Sequence, residues 1–521
     1  MTVVAADRAD QLLGELGFES WRPGQKEAVE AGLEGRDSLI VMPTGGGKSL
    51  CYQLPGLASE DLTIVVSPLI ALMNDQWRRL IAAGHPVAMI SSGMSPEAAR
   101  AALDQVRSGA ARIVYCSPER FASNVFLDAL AQRRIDLMAV DEAHCVSEWG
   151  HDFRPDYLRL PEIAERLGRP PVMACTATAT KAVAAEIVSR FGLRKPLQVR
   201  SGFDRPNLSF DVVQLEGKGS KARRLALLEA GLADPENRPA IVYCGTRRDT
   251  DEVAQSLRDS GLRALGYHAG KEAEERTATQ RRFMAEEAEV IVATNAFGMG
   301  VDKANVRSVW HMAIPTSLEA YYQEAGRGGR DGLPAKAVML AMKADLGRLV
   351  RFIEQRDPEL AIARERGWRD YRTIKSFIYG DRCRRRSILD HFGDREAGRP
   401  LGRCCDVCDA QSWLPDPEAI VVRAPKRAKA AASPPAELSE ADGVLFDQLK
   451  AWRLRAADGK PAYTIAHNTT LAAIAATRPR DEASLGAIRG IGPSFIAKFA
   501  PEVLALIAAH PRDGAALESA A

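Results

Sequence analysis

The chain has 521 residues, too many for one hydrophobic core, so several domains are expected. Hydrophobic residues make up 46% and charged residues 26%; no apolar run approaches bilayer length and no signal-peptide pattern opens the chain, so a cytoplasmic globular protein is expected. The formal charge of +2 gives no global field for a polyanion, so nucleic acid would have to bind local patches, with 372–386 and 423–429 as basic candidates.

Apolar runs at 38–41, 63–67, 87–90, 112–116, 137–140 and 172–175 alternate with helix-like stretches. That rhythm predicts a mostly parallel sheet covered by helices. It restarts at 240–244, 263–268, 290–294, 309–312 and 337–340, predicting a second α/β lobe joined to the first near 200–214. Residues 345–410 read as helical and basic, and end in cysteines. The Lys, Arg, Ala, Ser and Pro content of 423–437 reads as a flexible linker. Beyond it, 438–510 has helical periodicity, with Gly490-Ile491-Gly492 permitting a tight turn between helices; the tail after Pro511 is expected to fray. The expected divisions are 1–205, 206–344, 345–410, a basic linker 411–437, a helical domain 438–512 and a tail 513–521.

Two segments carry chemistry. Met42-Pro43-Thr44-Gly45-Gly46-Gly47-Lys48-Ser49 follows the first apolar run, and its glycines let successive N–H groups point at phosphate oxygens. Lys48 can reach the β/γ-phosphates and Ser49 is placed to hold Mg²⁺. Met42 stands where the strict pattern has a leading glycine. Asp141-Glu142-Ala143-His144 ends another apolar run, where Asp141 can hold the metal and Glu142 can orient the attacking water. Together they imply hydrolysis of a nucleoside triphosphate.

The nine cysteines do not form a secreted disulfide framework. Cys51, Cys116, Cys145, Cys175 and Cys244 are scattered and read as buried thiols, whereas Cys383, Cys404, Cys405 and Cys408 cluster and read as one metal site in a reducing compartment.

In order along residues 15–410, these segments resemble the RecQ family of DNA helicases, within superfamily 2. The stretch from Gly17 to Gln25 is similar to the family's segment upstream of the phosphate loop; the resemblance implies that Gln25 reads the adenine edge, with Arg22 assisting and Phe18 packing on the base. The stretch from Ser67 to Gln76, and Ser117-Pro118-Glu119-Arg120, resemble single-strand DNA contact motifs. After His144, the run from Cys145 to Tyr157 resembles the aromatic-rich loop that couples DNA binding to ATP hydrolysis: Trp149 and Phe153 offer stacking faces, Arg154 a cation, and His151 lies between them. Thr176-Ala177-Thr178-Ala179-Thr180 is similar to a coupling motif. In the second lobe, Tyr243 to Arg247 (with Thr246) and His268-Ala269-Gly270 resemble backbone-binding motifs. Ala293 to Asp302 contains Thr294 and the candidate ribose ligand Asp302. Gln323 to Gly332 supplies Arg330 as the expected arginine finger and Arg327 as a phosphate clamp.

The resemblance implies an α/β fold of two tandem RecA-like parallel-sheet lobes, a helical zinc-binding subdomain and a C-terminal all-α HRDC domain. It also implies ATP, Mg²⁺ and Zn²⁺ as cofactors, 3′ to 5′ translocation on single-stranded DNA, unwinding of 3′-overhang or forked duplex in repair and recombination, and nucleoid association. Single-strand-binding protein and other repair proteins are further expected partners. The zinc motif departs from the family's C-x-x-C-x-x-C run, because Gly402 stands at the expected first cysteine and Cys404 adjoins Cys405. All four cysteines remain ligands, with His391 a substitute if adjacent thiolates cannot both bind. The stretch between Cys408 and Leu438 is too short for the winged-helix domain often found there, so a translocase with weak strand separation is the alternative.

Overall fold

The computed structural model describes residues 2–43, 45–147, 153–298, 303–355, 361–395, 397–409, 411–420, 440–457, 465–466, 468–488 and 490–510. Contacts divide the chain into two compact units, 1–422 and 423–521.

The first unit holds two parallel sheets. Strands β1 (Ser38–Val41), β2 (Leu62–Val66), β3 (Val87–Ile90), β4 (Ile113–Cys116), β5 (Ile135–Val140), β6 (Val172–Thr176) and β7 (Leu197–Arg200) lie in the spatial order β3-β4-β2-β5-β6-β1-β7. Strands β8 (Leu208–Leu215), β9 (Ala240–Tyr243), β10 (Ala264–Tyr267), β11 (Val290–Ala293), β12 (Ser308–His311) and β13 (Ala335–Met342) form the second, ordered β10-β11-β9-β12-β13-β8. Most central strands are buried throughout, because helices cover both faces; this is why they read as unbroken apolar runs rather than alternating ones. Loops leave the C-terminal edges of such strands together, which collects the phosphate loop after β1, Ser67 after β2, Asp141 after β5 and Thr176 at the end of β6.

Two strands run through the expected joint. β7 (Leu-Gln-Val-Arg) and β8 (Leu-Ser-Phe-Asp-Val-Val-Gln-Leu) are edge strands that alternate apolar and polar residues, so neither gives a continuous hydrophobic signal. β8 pairs with β13 from Leu208 opposite Ala335 to Leu215 opposite Met342. The connection between the sheets therefore shrinks from 200–214 to residues 201–207.

Helices Lys343–Glu354, Ala361–Tyr379 and Arg384–Phe392 follow the second sheet. Ile374, Phe377, Ile388 and Phe392 join one apolar core with Phe210, Tyr321 and Tyr322. The basic stretch 372–386 does not offer all its charge to a ligand. Arg384 and Arg385 are 4% and 5% exposed. Arg384 forks onto Asp406 (Nε 3.0 Å, Nη2 2.9 Å), and Arg385 onto Asp204 (Nε 2.6 Å). A guanidinium in a dry site needs carboxylate partners, and here it finds them. The second basic candidate, 423–429, lies outside the described residues. Trp413 and Leu414, within the expected linker, pack on the second lobe: Trp413 sits 5.7 Å from Trp310, donates to Asp211 (3.1 Å) and lies beneath the Lys336 ammonium.

In the second unit, helices Glu440–Ala456, Asn468–Thr477, Glu482–Gly486 and Pro493–Ala508 enclose Leu445, Leu449, Trp452, Leu471, Phe495 and Val503. Gly490 takes φ +101 in the turn before Pro493, as its pair of glycines predicts. Among the described residues, no helix is long and apolar enough to cross a membrane.

Candidate active site and metal centre

Gly45 and Gly47 both take φ +83, a conformation that glycine adopts without steric cost, and the helix Lys48–Ala58 starts directly after them. Its N-terminus and the loop amides make an anion site. Lys48 Nζ donates to the Met42 carbonyl (3.0 Å). Gln25, 1% exposed, has both ends of its amide engaged: Oε1 accepts from the Arg22 N–H (2.8 Å) and Nε2 donates to the Gly47 carbonyl (3.1 Å). Nε2 also reaches the Gly46 carbonyl at 3.4 Å, and Arg22 donates to that of Gly45. Phe18 is exposed at the rim. Thr44 lies outside the described residues.

Ser49 is held from below. Gln76 Nε2 donates to Ser49 Oγ (2.9 Å), while Gln76 Oε1 accepts from Tyr52 Oη (3.1 Å) and Gln53 Nε2 (3.4 Å). Gln76 belongs to the stretch expected to face DNA, but the structure turns it inward to the phosphate loop.

Asp141 is 3% exposed. Burial and the Glu142 carboxylate push its carboxyl up to about 7, against the opposing pull of Lys48. Ser67 Oγ approaches Asp141 Oδ2 at 3.4 Å and the Glu142 N–H donates to Oδ1 at 3.0 Å. Ser67 is itself 2% exposed, so it lies behind Asp141 and not on a DNA-facing surface. Tyr157 Oη, buried, donates to the Asp141 carbonyl (2.9 Å) and fixes the end of β5. Glu142 takes φ +49, strained for a side chain with a Cβ, and such strain persists where the surroundings over-determine it. His144 Nδ1 lies 2.9 Å from Thr176 Oγ1 and 3.3 Å from Glu142 Oε2. Burial works to lower the His144 pKa, but Cys145 and Glu142 outweigh it and raise it to about 10. His144 thus links Glu142 to the threonine-rich segment at the end of β6.

The second lobe faces this edge. Arg327, 7% exposed, lies against Gly298, and Arg330 packs its stem on the phosphate loop: a Cβ built on Gly45 would sit 3.4 Å from Arg330 Cγ. Phe18, Gln25, Lys48, Glu142, Arg327 and Arg330 line one cavity of about 600 Å³, which Arg22, Gly45, Gly47, Ser49 and Asp141 also border.

The remaining described DNA candidates lie on separate loops of the two lobes. Phe153 and Arg154 are half-buried, the Arg154 N–H donating to the Cys145 carbonyl (2.9 Å). Thr246 is the exposed N-cap of Arg247–Asp259, accepting the Asp249 N–H (3.0 Å), and Thr294 is half-buried beyond β11. Trp149, His151 and Asp302 lie outside the described residues.

The four cysteine sulfurs all lie within 4.8 Å of one another. Cys383 Sγ is 3.7 Å from Cys404 Sγ and 3.9 Å from Cys405 Sγ. Thiolates about 2.3 Å from a tetrahedral zinc would stand about 3.8 Å apart, so the donors fit that ion. The adjacent pair converges because the Cys404 and Cys405 N–H groups both donate to Asp409 Oδ2 (2.7 and 3.0 Å), which curls the chain there. His391 is not needed: its Nε2 is 2.7 Å from Glu319 Oε1. The loop is docked on the second sheet, since the Phe210 N–H donates to the Cys404 carbonyl (3.1 Å).

Family models match in the order of these parts: DEAD/DEAH box helicase over 22–187, helicase conserved C-terminal domain over 221–332, RecQ zinc-binding over 343–409 and HRDC domain over 442–507. The ATP-dependent DNA helicase RecQ of Bacillus subtilis (strain 168) is 40% identical over 405 residues, covering 77% of this chain and 67% of that protein. The chain belongs to the RecQ family. Another RecQ member, from Pasteurella multocida (strain Pm70), is 39% identical over 399 residues; the match covers 77% of this chain and 62% of that relative's length. The fold is also that of Mss116p bound to ssRNA and AMP-PNP (TM-score 0.54, 20% identity, 68% of this chain and 75% of that one) and of MrfA bound to DNA (0.55, 22%, 68% and 55%). The RecQ chain is thus two RecA-like lobes, a helical zinc-binding region and an HRDC domain.

Proposed function

We propose that this RecQ-family chain is an ATP-dependent DNA helicase that moves 3′ to 5′ on single-stranded DNA and separates duplex during repair and recombination. One observation carries the reading: Arg330 of the second lobe lies against Gly45 of the first, in the cavity that holds Lys48, Asp141 and Glu142. A site shared by two lobes can turn hydrolysis into relative motion.

Phe18 packs on the adenine, and Gln25 reads its edge after releasing the Gly47 carbonyl. The loop amides and Lys48 hold the phosphates, Lys48 giving up its bond to Met42. Ser49 and Asp141 are the residues that would hold Mg²⁺, which neutralises charge on the phosphate oxygens when bound. Glu142 orients the water. Arg330 stabilises charge on the transferring phosphoryl group and Arg327 clamps it, both reaching from the second lobe into the site on the first. The link from Glu142 through His144 to Thr176 gives DNA seated near 145–157 a route to the hydrolytic water. Asp302 takes the ribose; Trp149, His151, Phe153, Arg154, Thr246 and Thr294 are the proposed contacts along the strand. Zinc on the four cysteines is structural. Nucleoid association and repair-protein partners belong to the same proposal.

The test is ATP turnover with and without single-stranded DNA, beside release of a labelled strand from a 3′-tailed duplex. Lys48→Ala and Glu142→Ala should abolish both; normal turnover by either variant sinks the assignment. Strong turnover without strand release would favour the translocase alternative, to which the short stretch between Cys408 and Leu438 lends weight.

A further inference from the structure

We infer that Arg205, in the span between the two sheets, is a positioning residue: it fixes the loop that carries Arg327 and Arg330 and ties that loop to the zinc module. The inference rests on the assignment of Arg330 as the finger.

The loop after the helix Leu318–Ala325 turns its carbonyls toward this span and its two guanidinium groups toward the cavity. Arg205 Nη1 donates to the Gly326 carbonyl (3.1 Å), and Nη2 to those of Gly328 (2.8 Å) and Gly329 (2.9 Å). These carbonyls bracket Arg327 and lead directly into Arg330. Asn207 adds Nδ2 bonds to Gly329 (2.7 Å) and Leu333 (2.8 Å). Gly329 takes φ +55, and a Cβ there would lie 2.5 Å from Asn207 Nδ2, so span and loop fit at backbone distance. A planar guanidinium spans several carbonyls with little freedom left, which a flexible ammonium cannot do.

The span is itself anchored from the far side. Phe203 stacks on Phe392 (centroids 4.3 Å apart, planes 5° apart), and its N–H donates to Asp394 (2.7 Å). Asp204 receives Arg385 and the Gly398 N–H (2.7 Å), and the Leu401 N–H donates to the Pro206 carbonyl (2.8 Å). Every one of these anchors lies between the first zinc cysteine, Cys383, and the remaining three. A zinc ion on the four cysteines would close that loop, which holds the span, and Arg205 holds the finger.

The test uses the full-length zinc-loaded chain with Arg205→Met, Arg330→Ala and the double variant. Arg205→Met should lower the kcat for ATP by about tenfold or more while leaving KM and ADP affinity within about twofold. Its affinity for ADP with aluminium fluoride, a mimic of the transferring phosphoryl, should fall with kcat, and zinc content should stay at the wild-type value. In the Arg330→Ala background, Arg205→Met should cost less than about twofold more, because both act through one group. A kcat within about twofold of wild type, or the full loss repeated on top of Arg330→Ala, overturns the inference. Wild-type turnover by Arg330→Ala alone would instead remove the finger assignment beneath it. If Arg205→Met does not fold, Arg205→Lys decides: a lowered kcat at unchanged KM supports the inference, and wild-type kcat overturns it.

Discussion

Asp141→Asn should abolish ATP turnover and, at high pH, make the nucleotide-free, Mg²⁺-free chain more stable. Asp141 is buried beside Glu142, and its carboxyl is held up at about 7 from an ordinary 3.8. Between those values the folded chain keeps a proton that the unfolded chain has lost. The group's contribution is therefore fully present below pH 3.8 and is lost as pH rises through 7. Each pH unit in that window is worth about 1.4 kcal/mol. Asparagine keeps the shape and the Glu142 N–H bond, and it carries no charge to desolvate. From pH 5 to pH 7 the wild type loses about 3 kcal/mol that the variant keeps, and above 7 the difference is flat. The comparison between two pH values cancels whatever the new amide costs against Ser67. Thermal unfolding at pH 5 and pH 8 in chelator is the assay, and the variant's gain in midpoint should be larger at pH 8 by about 5–10 °C for a lobe of this size. An equal gain or loss at both values would refute the reasoning.

Gly47→Ala should lower nucleotide affinity by about tenfold or more, since φ +83 costs a side chain about 1–2 kcal/mol and its Cβ would lie 2.1 Å from Gln25 Nε2; fluorescent-nucleotide titration checks it. Cys405→Ser should bring zinc content well below one ion per chain by metal analysis. It should also lower the unfolding temperature, because the buried Cys405 backbone bridges Phe210 at the edge of the second sheet. Arg384→Ala should destabilise the 343–409 region by about 3 kcal/mol in denaturant melts, because it leaves the Asp406 carboxylate with the Val212 N–H but without its guanidinium partner and takes the Arg384 donor from the Phe377 and Gly380 carbonyls.

The sequence disclosed what chemistry forces into few residue types. Glycines at φ +83, a lysine at a helix start and two carboxylates at a strand end follow from what a triphosphate requires, and the lobes follow from fully buried strands. Alternation hid the edge strands β7 and β8. Charge misled at Arg384 and Arg385, because a guanidinium run reads alike whether it faces phosphate or buried aspartates. Ser67 and Gln76 lie in a motif read as facing DNA, yet each points to the nucleotide edge, and only the third dimension separates the two sides of one turn. The adjacent pair Cys404 and Cys405 converges because Asp409 bends the chain there, a contact that cysteine spacing does not show. Arg205 gave no signal at all, since its partners are backbone carbonyls more than a hundred residues away.

The central claim is that one site shared by two lobes hydrolyses ATP under the control of DNA. The most direct test is steady-state ATP turnover by the purified chain, with and without single-stranded DNA, for wild type and Arg330→Ala. The account predicts strong stimulation by DNA in the wild type and loss of that turnover in the variant, with ATP binding retained. Turnover indifferent to DNA, or undiminished without Arg330, would contradict it.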